Sequence, residues 1–104
     1  MLVLSTAPDA SVARVIARVL IERRLAACVN LLPAVASIYR WKGAIEESGE
    51  VLMVIKTTSA RLAELEPALL ELHPYEVPEF VALAAEHVAA PYLEWLRAES
   101  GPGA

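Results

Sequence analysis

The stretch AACVNLLPAVASIYRWKGAIEESGEVLMVIKT, residues 26–57, decides the fold. Ala26 to Leu32 is a short apolar run that reads as a strand, and Pro33 marks a bulge or an edge position, because proline donates nothing to a ladder. Beyond it the period is two: Val35, Ser37, Tyr39 and Trp41 share one face, and Ala36, Ile38 and Arg40 share the other. Lys42-Gly43 reads as an irregularity, and Glu46 to Gly49 as the turn. Val51 to Lys56 is apolar on both faces, the mark of a central strand. Together these residues predict one long hairpin. Each arm approaches ~40 Å at about 3.3 Å per residue, longer than a lone domain of this size needs. Part of the hairpin is therefore expected to project and pair with other subunits.

Outward from the hairpin, Met1 to Thr6 reads as a buried strand ended by Pro8. Asp9 suits an N-cap, and Val12, Val15, Ile16, Val19 and Leu20 recur at helical spacing up to Arg24. After the hairpin, Ser59 is expected to cap a second helix carrying Leu62, Leu65, Leu69 and Leu72, bent at Pro67 and ended by His73-Pro74. Phe80 to Ala84 reads as the last main strand. Pro91 opens a short helix offering Tyr92, Trp95 and Leu96 on one side. The order β-α-β-β-α-β plus a terminal helix predicts an α+β ferredoxin-like sandwich: two helices on one face of a four-stranded antiparallel sheet. Residues 1–99 form one domain in this reading, and residues 100–104 a fraying tail.

Composition narrows the function classes. The 104 residues are 57% hydrophobic with a mean hydropathy of +0.47, enough apolar surface to offset the ordering entropy and exclude disorder. So much apolar material on so small a body points to burial between subunits. Thirteen acidic against nine basic residues, with no basic stripe, argue against nucleic-acid binding. The longest charge-free run, Leu25 to Tyr39, is too short to span a bilayer as a helix and contains Pro33. No basic residue precedes Arg14, so the start does not read as a signal peptide. The lone Cys28 fits a reducing, cytoplasmic compartment; it reads as a core thiol, with a reactive or metal-binding role as the alternative. Asn30 as the single amide residue and seven arginines among nine basic residues hint at heat adaptation.

Several segments then resemble a known family. Ser5-Thr6-Ala7-Pro8-Asp9, Leu25 to Asn30, Ser37 to Gly43, Ile55 to Thr58 and His73 to Glu79 are similar, in order, to the CutA family of divalent-cation tolerance proteins, as is Tyr92 to Leu96. The resemblance implies a ferredoxin-like subunit in a homotrimer, metal tolerance and copper binding. Some members are assigned copper ligands at a first-strand cysteine and at two consecutive histidines before Pro-Tyr. Those positions here hold Ser5, Leu72 and His73, leaving His73 as the candidate metal ligand.

The candidate residues carry competing readings. His73 either complements a helix dipole or acts as a ligand in an intersubunit cleft with Tyr75, Glu76 and Glu79. Tyr39 and Trp41 either pack between subunits or line that cleft. Lys56, inside an apolar strand, needs a carboxylate from Glu47, Glu50 or Glu79, or else binds an anion. Glu46, Glu47 and Glu50 read as a solvated acidic rim, and His87 as a loop histidine. No nucleophile elbow, P-loop or dinucleotide fingerprint is present. The leading expectation is a non-enzymatic, cytoplasmic homotrimer that binds copper or another divalent ion weakly, without nucleic-acid or membrane partners. The alternative is a PII-like module holding small anions or nucleotides near Lys56 and Arg40. A lesser one is a small enzyme using His73, Tyr75 and Glu79.

Overall fold

In the computed structural model, which describes residues 1–101, the chain is an α+β fold with four antiparallel strands in the order β2-β3-β1-β4 and three α-helices. β1 (Leu2–Ala7) leads into α1 (Ala10–Glu22); β2 (Cys28–Trp41) and β3 (Ala44–Lys56) form the hairpin. A 3-10 turn (Ser59–Arg61) opens α2 (Leu62–Leu72), and β4 (Val81–Leu83) and α3 (Ala90–Ser100) follow. α1 starts where Asp9 accepts a hydrogen bond from the Val12 amide at 2.8 Å, satisfying a first-turn donor.

The core lies between the sheet and the helices α1 and α2. Val3, Ala7, Val51, Met53 and Ile55 face Ala13, Ile16, Leu20, Leu65 and Leu69, all of them buried. The other sheet face carries Leu2, Leu4, Leu52 and Val54, half-buried, and Leu32, Val81 and Leu83, exposed. β2 and β4 are the sheet edges. The hairpin projects beyond the helices and gives the molecule extents of 46 × 26 × 22 Å. Its Cα radius of gyration, 14.3 Å, exceeds the roughly 13 Å expected of a compact chain of this length.

The hairpin turns at Lys42-Gly43, not at Glu46 to Gly49. Lys42 (φ 48°) and Gly43 (φ 83°) both occupy the left-handed region, the backbone of a two-residue turn whose twist matches the flanking strands. Glu46 to Gly49 lies within β3, with Tyr39 opposite Glu46 and Ala36 opposite Gly49. Polar residues there reflect an exposed strand rather than a reversal. Pro33 does mark a bulge. The register moves from Leu32↔Leu52 to Val35↔Glu50, so β2 carries one extra residue, and Ala34 adopts φ 62°. That residue reverses the alternation: even positions before the bulge and odd positions after it share one face. Ser37, Tyr39 and Trp41 thereby come to the Glu50 side of the sheet.

Other expectations are corrected. Ser59 caps nothing with its side chain; it is the first residue of the 3-10 turn. The last strand is three residues, not the five from Phe80 to Ala84, because it pairs only with Leu2 to Leu4 of β1. Ser100 does not fray: it is fully buried at the end of α3, its hydroxyl donating to Leu96 O at 2.5 Å. Arg24, at φ 58°, holds that end by donating to the carbonyls of Ala98 and Gly101. Residues 102–104 of the expected tail lie outside the described residues. Cys28 is half-buried on the sheet face turned away from the helices, opposite Lys56, rather than in the core.

Candidate functional site

A cleft of about 690 Å³ opens where the outer half of the hairpin meets the segment after α2. The bulge brings Ser37, Tyr39 and Trp41 to it, β1 brings Thr6, β3 brings Glu50, and the loop after His73 brings Tyr75 to Glu79. The Tyr39 hydroxyl lies 3.2 Å from that of Ser48, fixing its ring against the hairpin.

Glu50 is the buried charge at its floor, 8% exposed. The Tyr75 hydroxyl donates to its Oε2 at 2.8 Å. Burial pushes the Glu50 carboxyl pKa up, but hydrogen bonding from Ser37, Tyr75 and Thr6 outweighs this. The net shift is downward, so the floor carries a negative charge at neutral pH. Tyr75 shifts the opposite way: burial, then its bond to Glu50, raise its pKa well above the usual phenol range. Its proton stays on.

His73 ends α2 and is buried. Its Nδ1 accepts from the Tyr75 amide at 3.1 Å, and its Nε2 lies 2.6 Å from the Thr6 carbonyl oxygen. A carbonyl only accepts, so Nε2 carries the proton and donates, while Nδ1 stays bare. Its ring packs against Tyr75 at 4.7 Å between centroids. Both ring nitrogens are used in fixing the end of β1 and the start of the cleft loop. His73 therefore positions Thr6 and Tyr75, and could ligate an ion only by giving up one of these bonds.

Of the residues singled out from the sequence, Tyr39, Trp41, Tyr75 and Glu79 line the cleft. Lys56 does not. It lies six residues along β3 from Glu50, roughly 20 Å at strand rise. Its ammonium sits 5.8 Å from the Tyr92 ring, and it makes no ion pair among the described residues. The carboxylate that meets Tyr75 is Glu50, neither Glu79 nor part of an acidic rim. Ser5 faces the helix side, fully buried, and Leu72 packs against the core, so neither can join His73 in a ligand set. His87 is exposed and lines a separate hollow with Met1, Thr58 and Arg97. Among the described residues no three His, Cys, Asp or Glu side chains stand close enough to hold a metal ion. The sequence reading missed Thr6, Ser37 and the floor role of Glu50. A signal was available for Glu50, a carboxylate directly abutting the apolar run from Val51.

The profile of the CutA1 divalent ion tolerance protein family matches residues 1–99. The chain belongs to this family. It is 48% identical to the divalent-cation tolerance protein CutA of Thermus thermophilus over 99 residues, 95% of this chain and 96% of that protein. Human protein CutA is 53% identical over 92 residues, which are 88% of this chain but 51% of the human protein, so the chain spans about half the length of that relative. A solved CutA structure from Archaeoglobus fulgidus, described as periplasmic, superposes with a TM-score of 0.93 at 34% identity, covering 96% of this chain and 97% of that one. No helix among the described residues is long and apolar enough to cross a membrane. The CutA1 family assignment and the cleft chemistry together frame the function.

Proposed function

We propose that this chain is a non-enzymatic, ferredoxin-like subunit of a cytoplasmic homotrimer that binds copper or another divalent cation weakly in the cleft over Glu50. The observation that carries the reading is the ionised, buried Glu50 carboxylate surrounded by the hydroxyls of Tyr75, Ser37 and Thr6. One carboxylate with neutral oxygens is a hard donor set, fitted to a divalent ion but poor in the soft or imidazole ligands that give copper high affinity. Weak binding follows. The His73 ring, engaged at both nitrogens, supports the site by holding Tyr75 and Thr6 rather than as the first donor.

Trimerisation is supported by what one copy leaves uncovered. Ile38 and Ile45 on the hairpin are 69% and 71% exposed, and Leu32, Val81 and Leu83 lie open on the sheet face without helices. The unpaired edge of β2, fourteen residues long, is a template for strand pairing that a lone chain would leave bare. The anion-binding alternative loses its support, because Glu50, Glu76 and Glu79 line the cleft with no lysine or arginine, and Lys56 lies elsewhere. The enzyme alternative lacks a free base: Tyr75 keeps its proton, and the lone pair on His73 Nδ1 is taken up by the Tyr75 amide.

Calorimetric titration of copper and of manganese into wild type, Glu50→Gln and His73→Ala tests the reading. Glu50→Gln is expected to weaken binding of either ion at least tenfold. Equal isotherms for wild type and Glu50→Gln would remove the ion from this cleft.

A further inference from the structure

The cleft contains more than a bare ion needs. Its volume, about 690 Å³, falls in the range of sites that enclose an organic molecule. The rings of Tyr39, Trp41 and Tyr75 line it, with the ionised Glu50 at the floor and no basic side chain among the lining residues. An aromatic face attracts a cation through its quadrupole, and a carboxylate accepts the N–H groups of an ammonium or guanidinium. A carboxylate offers about four acceptor positions. The three hydroxyls around Glu50 use at most three of these, leaving room for an N–H donor from outside. The chain itself displays the attraction at the rim: the Lys42 ammonium sits 5.6 Å from the Trp41 ring centroid and 4.0 Å from a Glu76 oxygen.

We propose that the cleft binds a small organic cation bearing a primary ammonium or guanidinium group, with its head on Glu50 and its body against Tyr39, Trp41 and Tyr75. This shares Glu50 with the divalent-cation reading but does not rest on it, since a metal ion uses the oxygens alone and an amine also needs the rings.

Calorimetry on the full chain with three probes of one shape tests the assignment. Benzylamine carries charge and N–H donors, benzyltrimethylammonium carries charge alone, and benzyl alcohol carries neither charge nor an ammonium. Benzylamine is expected to bind saturably, at least tenfold more tightly than the alcohol and more tightly than the trimethylated probe. Glu50→Gln should reduce benzylamine to the level of the alcohol. Trp41→Leu should weaken benzylamine at least fivefold while leaving the copper and manganese isotherms unchanged. Trp41 is 38% exposed near the hairpin tip, so its removal spares the core and this arm decides even if Glu50→Gln folds poorly. Equal affinity for benzylamine and benzyl alcohol, equal or tighter binding of the trimethylated probe, or benzylamine binding untouched by Trp41→Leu would overturn the proposal. Charge-dependent amine binding without any metal isotherm would sink the divalent-cation reading alone; metal binding without amine binding would sink this one alone.

Discussion

Replacing Tyr75 by Phe removes one atom from the site and should be felt as a pH-dependent loss of stability. The hydroxyl donates at 2.8 Å to a buried, ionised carboxylate, and hydrogen bonds to charged groups contribute roughly 1.5–3 kcal/mol. Because Ser37 and Thr6 still serve Glu50, the lower end, about 1.5–2 kcal/mol, is the expected cost at pH 7. The Glu50 pKa is depressed in the fold. Its contribution is therefore complete above the ordinary carboxyl value of 4.5 and is lost as the pH falls through the folded value. The Tyr75 pKa is raised, so the wild type loses stability as the pH climbs past the ordinary phenol value of 10.0, where the unfolded tyrosine ionises and the folded one does not. Phenylalanine has no proton to lose. The deficit of Tyr75→Phe should thus be largest between about pH 4.5 and 10 and shrink on both sides. Guanidinium unfolding at pH 3.5, 7 and 10.5 reads it, at one fixed chain concentration so that the proposed assembly cannot shift the midpoint between samples. A deficit at pH 3.5 equal to that at pH 7, or one below about 0.5 kcal/mol at pH 7, would refute the Tyr75–Glu50 coupling.

Two further outcomes test the frame around the site. Gly43→Ala forces a Cβ into the left-handed region and should cost about 1 kcal/mol or more, whereas Gly49→Ala, in extended strand with nothing within 4 Å of its new Cβ, should be neutral or stabilising in the same denaturation assay. The reverse ranking would move the turn back to Glu46 to Gly49. Sedimentation equilibrium at micromolar concentration should return three times the 11.2 kDa chain mass, and a folded species of single-chain mass would remove the trimer.

Much of the fold was legible because its signals are local. The Asp9 cap, the helical spacing of Val12, Ile16 and Leu20, and the two-sided apolar run from Val51 to Ile55 each report a nearby physical requirement. The hairpin turn was misplaced because a Ser-Gly pair among glutamates has the composition of a reversal; only the backbone angles at Lys42 and Gly43 distinguish a turn from an exposed strand. The extended edge itself was anticipated, since Pro33 cannot join a regular ladder. The cleft was half legible. Residue type alone points to Tyr39, Trp41, Tyr75 and Glu79, but it places Glu50 in a solvated rim. Its partners lie 25 and 44 residues away in sequence, at Tyr75 and Thr6, and no spacing rule connects them. For Lys56 the demand for a partner was sound in principle, yet the strand end leaves it half-exposed beside Tyr92 and water can serve it. The bonding of His73 depends on where Thr6 O and the Tyr75 amide come to rest, which is a tertiary fact.

The most direct test of cation binding over Glu50 is amide NMR of the isotopically labelled chain during addition of substoichiometric manganese. Paramagnetic broadening should appear first at Thr6, Ser37, Glu50 and Tyr75 and be abolished in Glu50→Gln. Broadening centred instead on His87 or on Glu46 and Glu47, or none at these cleft residues, would contradict the account.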